Sequence, residues 1–206
     1  MATLFLIRHG ETDFNLNKVV QGGGIDSSLN ATGYEQGRRF YEAWKHQPFD
    51  AVYCSGLQRT RQTLSAFEDA GRNIVAHPGL NEMGWGELEG KPFNEESHAR
   101  FMEMNDLWSE GQIHLAFPGG ESPLQVWNRA ASAIQDILNA HPDGNILICT
   151  HGRTLRILLS GFSGYGITRM NWFPHDNTGL NILRSPGTAW FFDRINCLNH
   201  LTPIPA

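Results

Sequence analysis

The chain has 206 residues, 40% hydrophobic and 18% charged, a balance that excludes a disordered chain and supplies a full core for one large domain. Its formal net charge of -5 excludes a broad electrostatic surface for nucleic acid or an anionic membrane, but leaves room for a small basic pocket. Three cysteines, Cys54, Cys149 and Cys197, form no CxxC pair; this speaks against a disulfide framework and a zinc site, and for thiols in a reducing compartment.

In chain order, the apolar run 3–7 comes first. It has no basic leader and Arg8 cuts it short, so it reads as a strand rather than a signal peptide. No run approaches the ~18 residues of a membrane span. The expectation is a soluble cytoplasmic protein with no membrane or nucleic-acid partner. The strand leads into Arg8-His9-Gly10-Glu11-Thr12. Tyr34, Gly37, Phe40, Tyr41 and Trp44 then recur at helical spacing and predict an amphipathic helix over 31–45. A second run, 51–54, leads into Ser55-Gly56-Leu57-Gln58-Arg59. Residues 83–120 mix Trp, Gly, Met and polar residues without a sheet partner. They predict an insertion covering one end of the sheet, with a short helix near 95–104. Ser122-Pro123-Leu124-Gln125 is a capping box with Pro at the first helical position, and starts a helix. The third run, 145–149, leads into Thr150-His151-Gly152-Arg153 and a helix over 153–160. Runs 180–184 and 188–196, joined by Ser185-Pro186-Gly187, predict an antiparallel hairpin.

Continuous apolar runs fit strands buried on both faces. The fold class is therefore α/β, a mostly parallel sheet covered by helices, in a single domain over 1–206. Open parallel sheets bind ligands at the carboxyl ends of their strands. Arg8, His9, Arg59 and His151 are thereby expected to meet although far apart in sequence. Two Arg side chains suit phosphate oxygens. Their charge disfavours imidazolium in the two histidines, and a neutral imidazole nitrogen is a competent nucleophile. Its other nitrogen can be fixed by donating to a backbone carbonyl. The helix starting near Gly152 can also face an anion with its free N–H groups. A two-histidine metal site would want carboxylate or Cys ligands and no adjacent Arg, so no metal is assigned.

The segment Leu6-Ile7-Arg8-His9-Gly10-Glu11-Thr12, followed by Asn15 and Gln21-Gly22, resembles the signature of the histidine phosphatase superfamily, which includes the cofactor-dependent phosphoglycerate mutases. The resemblance continues through Leu29-Asn30-Ala31-Thr32-Gly33, Gln36, residues 53–63, 82–90, Pro118-Gly119-Gly120-Glu121-Ser122 and Thr150-His151-Gly152. It implies a three-layer α/β/α fold with a central first strand and an edge hairpin. It implies that His9 is the phosphorylated nucleophile and that Arg8, Arg59 and His151 bind the phosphoryl group, with Asn15, Gln21, Gly22 and Gly152 as further substrate contacts. Glu82 matches the proton donor, with no metal and no cofactor. That role calls for a raised pKa, which Trp85 would supply by desolvation. By residue type alone Glu87 and Glu89 are rival acids. The chain departs from the family at Ser28, where Pro is common, at Gly56, where an acid is common, and in the Gly22-Gly23-Gly24 loop.

The expected activity is hydrolysis of a small phosphomonoester through a phosphohistidine. The alternative is a mutase. A mutase grips a second anion with cations in its cover, and 83–120 holds only Lys91 and Arg100. A non-catalytic phospholigand-binding module is a lower alternative, because His9, Glu82 and His151 are all present. The other histidines read as surface or packing residues. His175 and Asn177 are set apart because they follow the point where the family's site wall is completed. Cys54 and Cys149 each precede a site loop and read as packing near the pocket floor.

Overall fold

The structure is a computed structural model and describes residues 1–92, 94–185 and 189–202. Its elements in order are β1 (Ala2–Arg8), α1 (Asp13–Leu16), α2 (Ala31–Trp44), β2 (Ala51–Cys54), α3 (Gln58–Thr63), α4 (Ser65–Asp69), β3 (Ile74–Ala76), α5 (Glu95–Ser109), α6 (Pro123–Ala140), β4 (Asn145–Thr150), α7 (Gly152–Phe162), β5 (Leu180–Ser185) and β6 (Phe191–Cys197). Among the described residues six strands form one sheet in the order β3-β2-β4-β1-β5-β6. The pairs β1–β4, β4–β2 and β2–β3 are parallel, and β5 and β6 form the antiparallel edge hairpin. Phe93 and Thr188, together with Pro186 and Gly187 of the expected connection, lie outside the described residues.

Alternation along the strands divides the core into two. Leu4, Leu6, Ile146 and Ile148 face α6 and α7, packing on Ala130, Ile134, Ile137, Leu155 and Leu158. Phe5, Ile7, Leu147 and Cys149 face the other way, onto Phe40 of α2 and Phe67 of α4. This is the expected three-layer arrangement. It follows from successive strand side chains pointing to opposite faces.

Several element boundaries differ from expectation. Helix α5 runs on to Ser109, where a helix near 95–104 was expected. The continuation docks through Trp108, which is fully buried against Met83, Trp85 and Phe117. Helix α7 begins at Gly152 and ends at Phe162 rather than spanning 153–160. Strand β6 begins at Phe191 rather than at 188. The short β3 was not expected, because only Ile74 in it is buried.

The start of α2 explains several motif residues. Asn30 caps the helix by accepting from the Gly33 N–H at 2.9 Å, and its own Nδ2 donates to Glu11 Oε1 at 2.9 Å. Gln36 Oε1 accepts from the Glu11 N–H at 2.8 Å. Thr63 Oγ1 accepts from the Gly10 N–H at 2.9 Å. The loop after β1 is thus pinned between α2 and α3. Gly10 and Gly33 allow this contact: a Cβ on Gly10 would lie 2.5 Å from Gly33 O, and one on Gly33 would fall onto Glu11 O.

Gly33→Ala should therefore destabilise the fold by about 1–3 kcal/mol through forced overpacking. The exposed neighbour change Thr32→Ala should stay within about 0.5 kcal/mol. Denaturant midpoints compare the two directly.

Candidate active site

The parallel register aligns three strand ends. Arg8 pairs with Thr150 across β1–β4, and Cys54 pairs with Cys149 across β2–β4. His9, Ser55 and His151 consequently emerge at one edge of the sheet. The His9 N–H donates to Thr150 O at 2.9 Å. The His9 ring is 3% exposed and its centroid lies 5.2 Å from that of His151.

The hydrogen bonds fix both tautomers. His9 Nδ1 lies 2.7 Å from Gly10 O. A carbonyl only accepts, so Nδ1 carries the proton and Nε2 keeps its lone pair. Arg59 Nε donates to His151 Nδ1 at 3.2 Å. His151 Nε2 therefore carries its proton and donates to Ser55 Oγ at 2.7 Å. His151 stands at the start of α7 without capping it by its side chain.

Both arginines are held by carbonyls rather than carboxylates. Arg59 is fully buried and donates from Nη1 to Ile25 O at 2.7 Å and from Nη2 to Gly22 O at 3.3 Å. Arg8 Nη1 donates to His175 O at 2.8 Å. Its Nε is buried and has no hydrogen-bond partner among the described residues. Burial, reinforced by the Arg8 and Arg59 charges, pushes His9 well below the ordinary imidazole range. Burial, then Arg59, does the same to His151. An unpaired donor beside a neutral, oriented imidazole is suited to an anionic group with several oxygens.

Glu82 lies among the same groups. It is 7% exposed. Its Oε1 accepts from the N–H groups of Met83 at 2.8 Å and Thr154 at 3.0 Å, and its Oε2 from that of Arg153 at 3.1 Å. The sequence led us to expect an apolar slot against Trp85. The carboxylate instead sits on the free N–H groups of the first turn of α7. Arg129 fixes the approach to it, donating to the carbonyls of Gly79, Asn81 and Glu82 while bound side-on to Glu121. The two rival acids are engaged elsewhere. Glu87 pairs with Arg100, and Glu89 Oε1 accepts from the Trp85 N–H at 2.8 Å.

A sequence model of the histidine phosphatase superfamily (branch 1) matches residues 4–198. The chain belongs to the histidine phosphatase superfamily. Among its relatives, a protein named "Probable phosphoglycerate mutase GpmB" from Proteus mirabilis is 30% identical over 213 residues, covering 99% of this chain and 97% of that protein. A protein named "Uncharacterized phosphatase PhoE" from Bacillus subtilis is 30% identical over 203 residues, covering 98% of each. The crystal structure of the alpha-ribazole phosphatase from Shigella flexneri superposes with a TM-score of 0.82 at 25% identity, covering 95% of this chain and 96% of that one.

The remaining expected contacts of this histidine phosphatase divide by geometry. Gln21 and Gly152 line a cavity of about 530 Å³ with Arg8, Glu82 and His175. Asn15 completes the capping box of α1, and its Oδ1 accepts from Asn177 Nδ2 at 3.3 Å. Asn177 Nδ2 also donates to His9 O at 2.9 Å, so it positions the His9 backbone. Gly22 holds Arg59 through its carbonyl. The glycines at 22–24 have a packing reason. A Cβ on Gly22 would strike Glu89 Oε1, and one on Gly23 would lie 2.7 Å from Glu82 O. The loop lies against the Glu82–Glu89 backbone.

The cavity residues that escaped the sequence reading include Arg153 and Arg156 of α7, Asn105 of α5, and Asn171. The signal was present, since two arginines three residues apart interrupt an otherwise apolar helix. Two of the cations that line this cavity come from α7 rather than from 83–120. His175 also belongs to the cavity. Burial, then Arg8, pushes it down to about 3. Cys54 and Cys149 are buried, and burial raises both thiols above their usual range, which makes them inert packing groups.

Buried neutral histidines carry a pH signature. His9, His151, His175 and His200 all have folded pKa values below the unfolded value near 6.5, His200 at about 4. The unfolded chain therefore binds protons first. Their contribution to stability is complete above about pH 6.5 and declines as pH falls below it. The melting temperature should drop between pH 7.5 and 5.5, and less so in His200→Gln; a flat profile contradicts this.

Proposed function

We propose that this chain is a metal-independent phosphomonoester hydrolase that works through a phosphohistidine at His9. The observation that carries the reading is the pairing of an oriented His9 Nε2 lone pair with the buried, unpartnered Nε of Arg8. His9 Nε2 attacks phosphorus. In this mechanism Arg8, Arg59 and the Gly152 N–H bind the phosphoryl oxygens, His151 joins them by exchanging its Nε2–H from Ser55 Oγ, and Asn15 and Gln21 orient the ester. As the P–O bond breaks, Glu82 as its carboxylic acid protonates the leaving alkoxide. Water then attacks the phosphohistidine, the Glu82 carboxylate takes its proton, and phosphate leaves a neutral His9. Arg8 and Arg59 supply the positive charge that a metal supplies in other phosphatases.

Residues 1–206 act as one domain in this reading, with 83–120 as the cover over the site. Support comes from Trp85, Phe101, Met102 and Asn105, which line the cavity from that segment. The substrate is a small phosphorylated metabolite, with neither nucleic acid nor membrane as partner. Three free thiols and the net charge of -5 support a cytoplasmic setting, and among the described residues no helix is long and apolar enough to cross a membrane.

A mutase is the second reading, and Arg153 and Arg156 are the observation that favours it, because they offer cations beyond the phosphoryl site. A labelled phosphoenzyme chased with excess phosphoglycerate separates the two. The hydrolase releases inorganic phosphate, whereas a mutase passes the label to the acceptor.

Hydrolysis of p-nitrophenyl phosphate should proceed without added metal and be unchanged by chelator; strict dependence on a divalent ion would overturn the metal-free mechanism. His9→Ala should abolish acid-labile phosphate labelling. Glu82→Gln should slow turnover ~10²–10⁴-fold, most for poor leaving groups. A comparable loss in Glu87→Gln or Glu89→Gln alone would reassign the acid.

A further inference from the structure

Arg8, Glu82 and Gly152 of the phosphoryl site line one part of the cavity, and Arg153 and Arg156 of α7 furnish a second cationic part. We infer that Arg153 and Arg156 form a subsite for a carboxylate on the substrate, so that the enzyme takes phosphomonoesters of small carboxylic acids. This rests on the reading of the His9 end as the phosphoryl site.

The argument starts from the environment of Arg153, which is 6% exposed. Its guanidinium carbon lies 5.2 Å from the Trp85 ring centroid, 5.7 Å from Phe101 and 5.5 Å from Trp108. These rings pack around the cation and stabilise it in place of solvent. A chain of amides sets its orientation. Arg153 Nη1 donates to Asn171 Oδ1 at 2.9 Å, Asn171 Nδ2 to Asn105 Oδ1 at 3.2 Å, and Asn105 Nδ2 to Phe101 O at 2.7 Å. One turn along α7, Arg156 donates from Nε to Met170 O at 3.0 Å. Among the described residues neither arginine forms an ion pair with a carboxylate.

Two cations on a helix otherwise buried in apolar surroundings are costly unless an anion joins them. Both line the cavity. Of the two acids on the cavity wall, Glu82 is seated on backbone N–H groups, and Asp106 is exposed on α5. The Glu82 charge is felt at Arg153, but among the described residues neither acid forms an ion pair with Arg153 or Arg156. A substrate anion does so, and its type follows from shape. Aromatic rings crowd around the Arg153 guanidinium, so a planar group that accepts two parallel N–H bonds at the fork is the best match. A phosphate dianion would lose more hydration against the same aromatic walls.

The test uses His9→Ala protein, which lacks the nucleophile, and titration calorimetry with O-phosphoserine and O-phosphoethanolamine, which differ by one carboxylate. Phosphoserine should bind at least ~10-fold more tightly, the gain expected of charge-assisted hydrogen bonds. Adding Arg153→Met, which keeps an apolar stem against the rings and removes the charge, should cut the ratio to roughly threefold or less. A structural role alone would weaken both ligands equally and leave the ratio standing. Equal affinities before that change, or an unaltered ratio after it, overturn the subsite. So does tighter binding of propane-1,3-diol bisphosphate than of phosphoserine, which would make it a phosphate subsite. The hydrolase reading fails on different evidence, namely no turnover of the carboxylate-free p-nitrophenyl phosphate by the unmodified protein, and the calorimetric ratio decides the subsite in either case.

Discussion

Arg8, Arg59, Arg153 and Arg156 lie largely out of solvent at one end of the sheet, and oxygen dipoles rather than carboxylates hold them. Carbonyls of Gly22, Ile25, Met170 and His175 and the Asn171 amide take up some of their N–H groups. A carboxylate at each would have cancelled the charge. Dipoles orient the cations and leave their field intact. That field, added to burial, holds His9 and His151 neutral, and it gives the cavity its attraction for anions although the whole chain is acidic.

Keeping such charges in place demands a stiff frame. The β1–β4 register and the His9 N–H to Thr150 O bond set the distance between the two histidines. The α2 start and Thr63 clamp the loop between Gly10 and Glu11. Arg129, bound side-on to Glu121, gathers three carbonyls just before the Glu82 carboxylate. Most of the motif residues that never reach the cavity serve this frame.

The sheet and its convergent ends were legible because apolar runs stop abruptly at Arg8, Ser55 and Thr150, and strand direction then dictates where they meet. The tautomer of His9 was legible too, since a backbone carbonyl is the nearest available partner. Other features depended on packing between distant segments. The seat of Glu82 on α7 joins residues 71 and 72 positions apart, and no local pattern encodes that. Helix α5 was cut short on paper because Trp108, which anchors its last turn, looks like an isolated aromatic in a polar stretch. Arg153 and Arg156 were visible, but only the placement of α7 shows that they face a cavity. The glycines at 22–24 admit the close approach of Glu82, Met83 and Glu89, a contact between distant segments that no local pattern encodes.

Position 153 uses its two halves separately. The amide N–H belongs to the seat of Glu82, and the side chain reaches the cavity wall. Any residue except proline keeps that amide. The amide contact to Glu82 accordingly does not depend on the side chain there, and a neutral replacement would erase the charge at that wall. One helix turn thus carries both the amide that seats Glu82 and the side chain that sets the charge of the cavity wall.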